Sequence, residues 1–455
     1  MQTKEKKKFT ATQNPCNLCS PFGASIVFKG IEGSMTLLHG SQGCATYIRR
    51  YCISHFREPI DIASSNFSET TAIFGGKENL FKALKNIKQQ YHPKVISVAT
   101  TCLSETIGEN ITGLLAELIS DEKNKDYPPI VHVSTPSYSG THMDGYHAAT
   151  LALVKTFCHP KKKNTVSSKV GIFPNFVSPE DLRTLKSVCS EYKLDPVMVP
   201  DYSDTLDGGT WKSFQKISEG GTSIEKIGAL STSLAAIEFG NFNQNRETAG
   251  RYLAKTFQVP LYQMGLPIGV EKCDKFFGML NALSGQELPI KYEKMRGRLI
   301  DSYSDAHKYV FDKQAVIYGE EDMVEALSFF LLEIGMHPIL CVTGAKNDEL
   351  KEKIVKQGLK YKKHIEVLTS SDFGELEKRI ASVQPDILIG SSKGYTLSRK
   401  LGIPLVRVGF PIHDRIGAQR IRHISYEGTQ ELFDRIVNAI IETKQSKSRV
   451  GHTYM

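Results

Sequence analysis

No apolar run in this 455-residue chain approaches the roughly 20 residues needed to cross a bilayer, so no membrane partner is expected. The opening MQTKEKKKFTATQ has lysines but no apolar stretch behind them, which does not read as a secretory signal. A cytoplasmic location is therefore expected, and with it reduced thiols rather than disulfides. The sequence also lacks a basic stripe interleaved with aromatics. Its net charge of +8 is mild and its lysines are dispersed, with small clusters at Lys6–Lys8 and Lys161–Lys163, so no nucleic-acid partner is expected. Neither the Walker pattern G-x-x-x-x-G-K-S/T nor a G-x-G-x-x-G after a strand occurs, and nucleotide binding by this chain is unsupported.

What the chain does contain is a repeating alternation of short apolar runs and amphipathic stretches. Strands are expected at Val95–Thr100, Ile130–Ser134, Val170–Phe173, Pro196–Val199, Gly228–Ser231, Ala315–Tyr318, Pro338–Val342, His364–Leu368, Ile387–Ile389 and Leu405–Val408. Their scarcity of polar interruption suits parallel strands buried on both faces. Helical periodicity marks Glu78–Tyr91, Met323–Ile334 and Gln430–Thr443. The fold class expected is α/β, with three Rossmann-like doubly wound domains and mainly parallel sheets. The expected divisions are a flexible tail over 1–12, a first domain over 13–165, a second over 166–305, a third over 306–443, and a polar tail over 444–455.

Cysteine usage is uneven. Of nine cysteines, Cys16, Cys19, Cys44, Cys52 and Cys102 all fall in the first quarter. Four of these lie in three loops of small and polar residues: Asn14-Pro-Cys-Asn-Leu-Cys-Ser-Pro-Phe-Gly-Ala24, Leu37-Leu-His-Gly-Ser-Gln-Gly-Cys44 and Ala99-Thr-Thr-Cys-Leu-Ser-Glu-Thr-Ile-Gly108. Cys44 and Cys102 stand where helices should begin, and a helix N-terminus favours a thiolate. Gly40, Gly43 and Gly108 suggest close backbone approach to a bulky ligand. Zinc is the weaker choice, because its ligands usually arrive as two close pairs and only Cys16 and Cys19 form one. On spacing alone, an iron–sulfur cluster held by Cys19, Cys44 and Cys102 competes with three buried structural cysteines. Three thiolates would leave a four-iron cluster one ligand short, which a partner subunit could supply.

The loops resemble the component 1 family of nitrogenases and nitrogenase-like reductases. Leu37–Cys44 matches one family signature throughout. Thr101-Cys-Leu-Ser-Glu-Thr-Ile-Gly-Glu-Asn-Ile111 matches a second, with Glu109 where the family usually has Asp. His55-Phe-Arg-Glu-Pro59, Ser64-Ser-Asn-Phe-Ser-Glu69, Phe74-Gly-Gly76, Ser134-Thr-Pro-Ser-Tyr-Ser-Gly-Thr-His142, Ile389-Gly-Ser-Ser-Lys-Gly-Tyr395 and Pro404–Asp414 resemble the β-type subunit. The resemblance implies an iron–sulfur cluster of P-cluster type (8Fe–7S), or a 4Fe–4S cluster, shared with an α-like subunit. It further implies a heterotetramer of two α-type and two β-type chains, visited by an ATP-hydrolysing iron protein. By position, Cys19, Cys44 and Cys102 match the β-side cluster ligands. Thr141 falls where a β subunit can carry a ligating serine, although a structural hydroxyl fits as well. Ala229–Ala236 offers no thiol where the α subunit holds its large cluster, and Cys158, Cys189, Cys273 and Cys341 match no ligand position.

Two functions of different class remain. One is a β-like reductase subunit relaying electrons to an active site in α. The other is the N-type scaffold subunit of iron–molybdenum cofactor biosynthesis, which Pro200–Gly208 and Glu219–Ile224 resemble more. The scaffold subunit commonly keeps only the middle cysteine, so retention of all three favours the relay. Cys16 is open to an accessory ligand or redox role. Cys52 is expected in packing, and His39 and His55 in loop capping or at a cluster's outer shell. Arg57 with Glu58 suggests an ion pair, at the subunit boundary or plainly at the surface, and Arg407 with Asp414 suggests a structural role or a partner interface.

Overall fold

A computed structural model describes residues 16–121, 126–160, 168–240 and 246–448. The tail expected over 1–12 and the Lys161–Lys163 cluster lie outside the described residues. Lys444–Lys447, expected in a polar tail, instead continue the last helix, Ser425–Lys447, because its apolar face runs back along the core through Ile436 and Ile440.

The strands form three separate parallel sheets. The first comprises β1 (Ser34–His39), β2 (Ile62–Ser64), β3 (Val95–Thr100) and β4 (Ile130–Val133), ordered β2-β1-β3-β4. The second comprises β5 (Lys169–Phe173), β6 (Asp195–Met198), β7 (Ala235–Phe239) and β8 (Leu261–Met264), ordered β6-β5-β7-β8. The third comprises β9 (Gln314–Gly319), β10 (His337–Thr343), β11 (Glu366–Leu368), β12 (Ile387–Gly390) and β13 (Leu405–Arg407), ordered β11-β10-β9-β12-β13. Each is doubly wound, as expected, and the strand order reverses beside its first strand. Clefts for ligands form at that reversal, beyond the carboxyl ends of the strands.

The expected strand at Gly228–Ser231 is a helical turn. Ser223 caps a helix over Ile224–Gly228, and a 3-10 turn over Ala229–Thr232 follows it. A short apolar run fits a buried helical turn as well as a strand. The strand lies further on, in β7. There the buried Glu238 masked the pattern, its carboxylate accepting from Thr248 and Gln263 at 2.7 Å each. β1, β2 and β8 were not expected. All six residues of β1 are buried, and its polar Ser34 is satisfied by Ser97 on β3 at 2.8 Å.

Where the three units meet, Phe22, Phe176 and Phe410, one from each, close on one another. Ring centroids lie 4.8 Å apart for Phe22–Phe410 and 5.5 Å for Phe176–Phe410. His55 adds its ring 4.6 Å from Phe410. Among the described residues, cavities of about 30 and 20 Å³ lie there, the size of single water molecules.

A buried ion pair ties the second unit to the third. Asp181 accepts from His423 Nδ1 at 2.8 Å and from the backbone N–H groups of His423 and Ile424 at 2.7 and 3.2 Å. Burial alone would raise its pKa, but His423 and these donors overcome burial and hold it below the usual carboxylate value. A depressed carboxylate stabilises the fold above its unfolded pKa of about 4 and loses that contribution as pH falls through the folded value. Asp181→Asn should cost roughly 3 kcal/mol at pH 7 and flatten the acid side of thermal stability against pH, measured by calorimetry.

Candidate metal centre

The reversal point of the first sheet lies between β1 and β3, paired in register up to His39 opposite Thr100. Both strands run directly into the signature loops. From β1 the chain passes through Gly40 and Ser41 into the helix Gln42–Phe56, whose cap is Ser41, with Cys44 in its first turn. From β3 it passes through Thr101 into the helix Cys102–Ile107, which Cys102 begins. Cys19 is the N-cap of a third helix, Ser20–Lys29. Three cysteines thus stand at three helix N-termini, where partial positive charge favours an anionic group.

The three belong to one neighbourhood. Burial pushes the Cys19 thiol up to about 11, and the charges of Cys44 and Cys102 add to the rise. Burial and Cys102 likewise raise Cys44. Three adjacent thiols resist becoming three thiolates unless a cation supplies compensating charge. Among the described residues no group of His, Cys, Asp or Glu is arranged to hold a single metal ion. Cys19 and Cys44 are half-exposed and Cys102 is exposed. Around them Tyr47, Leu103 and Tyr138 show apolar surface to solvent, Tyr138 at 68% exposure. Apolar surface gathered around such a site is characteristic of a covered interface.

The loops are fixed from beneath. Thr101 N–H and the Ser104 hydroxyl both donate to His39 O, at 3.1 and 2.8 Å. His39 Nε2 meets Glu109 Oε2 at 2.7 Å, and Glu109 Oε1 accepts Gly76 N–H. His142 N–H donates to Leu18 O at 2.9 Å while its Nδ1 accepts Leu18 N–H at 3.3 Å. Burial drives His142 down to about 4, which keeps that nitrogen free to accept.

Several expectations change. Gly40 is required by Thr101, whose Oγ1 a Cβ would meet at 1.8 Å, and Gly108 by the left-handed cap of its helix at φ +79°. At Gly43 a Cβ would meet only Ser41 Oγ at 3.6 Å. Cys16 turns away from Cys19 toward the third sheet, where its charged neighbours are Lys393, Asp372 and Glu375. Cys52, Cys158, Cys189, Cys273 and Cys341 are buried. His55 Nδ1 accepts Ile412 N–H at 2.8 Å, an internal tie between the first and third units. Arg57 donates to His413 O and Glu58 accepts Gly208 N–H, so the two turn to different partners. Arg407 and Asp414 pair with each other at 2.6 Å.

Against known proteins, residues 19–441 match the family described as Nitrogenase component 1 type Oxidoreductase. This chain belongs to that family. The nitrogenase molybdenum-iron protein beta chain of Methanothermobacter marburgensis is 33% identical over 437 residues, covering 94% of each chain. That of Clostridium pasteurianum is 33% identical over 433 residues, covering 94% of this chain and 93% of the relative. A solved structure, nitrogenase Cp1 at pH 6.5, superposes with a TM-score of 0.94 at 31% identity, covering 99% of this chain and 98% of the other. Within this nitrogenase component 1 framework, no helix among the described residues is long and apolar enough to cross a membrane.

Thr141 has a definite place in the frame. It is the N-cap of the helix His142–Phe157, its hydroxyl accepting Met143 N–H at 3.2 Å while Asp144 accepts its backbone N–H. Thr141→Ala should cost about 1 kcal/mol and Thr141→Ser almost nothing, as read by denaturant titration. The capping pattern Thr141-x-x-Asp144 was legible in the sequence. The roles of Ser104, Glu109 and His142 were not, since their partners lie far along the chain.

Proposed function

We propose that this chain is the β-like subunit of a nitrogenase-type reductase. Cys19, Cys44 and Cys102 supply its half of an iron–sulfur cluster shared with an α-like partner. The observation carrying this reading is the convergence of three thiols on three helix N-termini at an exposed, apolar-rimmed edge of the first sheet. When bound, a P-cluster-type group would pass electrons from an ATP-hydrolysing iron protein toward an active site in the partner. The chain's own residues hold the thiols, donate to sulfur and exclude water beneath the site. Thr141 serves first as a helix cap, and oxygen ligation would require its hydroxyl to leave Met143 N–H.

The aromatic closure of the three-domain junction supports the β-type assignment, since the described residues pack closely there. Retention of all three cysteines favours electron relay over a cofactor-assembly scaffold. Anaerobic co-purification with the α-like partner, iron counting and EPR across a redox titration test the reading. About eight irons at the shared site with two accessible oxidations are expected. A four-iron cluster together with a transferable cofactor precursor would transfer the assignment to the scaffold.

A further inference from the structure

Cys16 and Asn17 lead into the Cys19 cap, yet the third unit holds them. Asn17 Nδ2 donates to Gly344 O at 3.1 Å, across 327 residues of sequence. Gly344 directly follows β10, and the approach is close: a Cβ on it would lie 2.7 Å from Asn17 N. The Cys16 side chain packs on the core cluster of the third sheet that contains Tyr318 and Phe373. It also lines the cavity of about 30 Å³, together with Tyr318 and Gly319 at the end of β9 and Ser391 just past β12. The order of the third sheet reverses between β9 and β12. The segment therefore sits at the carboxyl-end cleft where such a sheet would otherwise take a ligand. On its other side, Leu18 is tied to His142 of the first unit by two hydrogen bonds. Three consecutive residues thus bridge two units immediately before a candidate ligand.

We propose that Asn17 and Cys16 are positioning residues of the cluster site, an anchor by which the third unit fixes where Cys19 presents its thiol. This rests on the cluster-binding reading above. Only Leu18 separates the anchored pair from Cys19, and successive Cα atoms stand about 3.8 Å apart, so a displacement at Asn17 reaches Cys19 with little slack. Groups that orient a ligand without touching the metal govern how firmly it is held. In this arrangement Cys16 acts as a small apolar side chain. A contact serving stability alone would shift unfolding and leave the spectrum of the cluster unchanged.

Four variants test the anchor. Asn17→Asp keeps the shape but removes the donor and sets an oxygen against Gly344 O. Gly344→Ala pushes the same segment from the opposite side. Cys16→Ala withdraws the packing contact. Cys16→Val keeps an apolar side chain without a thiol, and the adjoining cavity accepts its extra methyl group. Each is purified anaerobically as the complex with the α-like partner, then followed by EPR across a redox titration and by iron release to a chelator. Asn17→Asp and Gly344→Ala should release iron several-fold faster than wild type and change the EPR line shape. Cys16→Ala should do the same more weakly, and Cys16→Val should match wild type. Unaltered spectra and iron release in Asn17→Asp and Gly344→Ala, with iron present in wild type, would overturn the anchor alone. Loss of iron from Cys16→Val would also overturn it, and would make Cys16 a ligand. Absence of iron from the wild-type complex would instead overturn the cluster reading beneath it. Should Asn17→Asp or Gly344→Ala fail to assemble, Asn17→Ala, which removes the donor without new repulsion, decides in its place.

Discussion

Cys44→Ala or Cys102→Ala should strip the complex of its shared cluster and abolish electron delivery, while thermal unfolding of the chain moves little. The two halves of that expectation have separate causes. Loss of the cluster follows from the donor count. The chain offers three thiols at this edge, so losing one leaves two. The small effect on unfolding follows from exposure and should be smallest for Cys102, which is exposed, because half-exposed Cys44 also touches the main core. Truncating a surface side chain away from core contacts usually changes stability by no more than about 0.5 kcal/mol. Cys19 serves as a contrast: like Cys44 it packs against the main core, but it also occupies the N-cap position of a buried helix. Cys19→Ala should lose iron and stability together, so it is the poorer diagnostic. The measurements are iron per complex by mass spectrometry, partner-dependent reductase turnover, and calorimetry on the same preparations. Full iron content in either Cys44→Ala or Cys102→Ala would remove that residue from the ligand set.

How much of this was readable beforehand depended on the range of the interaction. β3 is a continuous buried run, Val95–Thr100, and its local pattern suffices to find it. β1 is equally buried, but Ser34 and Thr36 break its apolar character, and its end merges with the loop that precedes Cys44. Its polar side chains make sense only once Ser97 is beside it. The same holds at the site. Cysteines beside small residues mark the centre, the helix start at Cys102 follows from the preceding strand, and that at Cys44 from the helical pattern after it. That Ser137 hydrogen-bonds Ser20 and Cys102, or that Glu109 braces His39, depends on contacts across 117, 35 and 70 residues. No periodicity or capping rule reaches that far. At Gly40, a glycine near a predicted ligand invited a functional reading, whereas its φ of +150° and the close approach of Thr101 already demand it.

The most severe fold-level effect should come from Gly145→Ala, with Gly23→Ala close behind. The helices Ser20–Lys29 and His142–Phe157 cross so closely that side chains are excluded at the contact. A Cβ on Gly145 would lie 1.9 Å from Ser20 O, and one on Gly23 would lie 1.7 Å from His142 O. Both obstacles are backbone atoms, so no rotamer change relieves the clash. The helices must separate. Separation breaks the paired hydrogen bonds between Leu18 and His142 and pulls Ser20 from Ser137. It also opens the packing around Phe22, 1% exposed at the junction of all three units. An overpacked site that can shift a side chain typically costs 1–3 kcal/mol. Here backbone must move in a buried crossing, and a cost above roughly 4 kcal/mol is expected. Ala is ordinarily the better helix former than Gly by about 1 kcal/mol, so propensity alone predicts stabilisation. The sign of the change therefore discriminates directly between local preference and helix contact. Denaturant unfolding of Gly145→Ala should show a large fall in midpoint, and the partner-bound protein should contain little iron because the Cys19 loop has lost its support. As a control for helix propensity, Gly278→Ala lies within the helix Val270–Ser284, where a Cβ would meet nothing within 4 Å. That variant should be neutral or slightly stabilised. A Gly145→Ala protein as stable as Gly278→Ala would mean that the two helices do not cross in the observed contact, and the placement of Cys19 relative to Cys102 would have to be rebuilt.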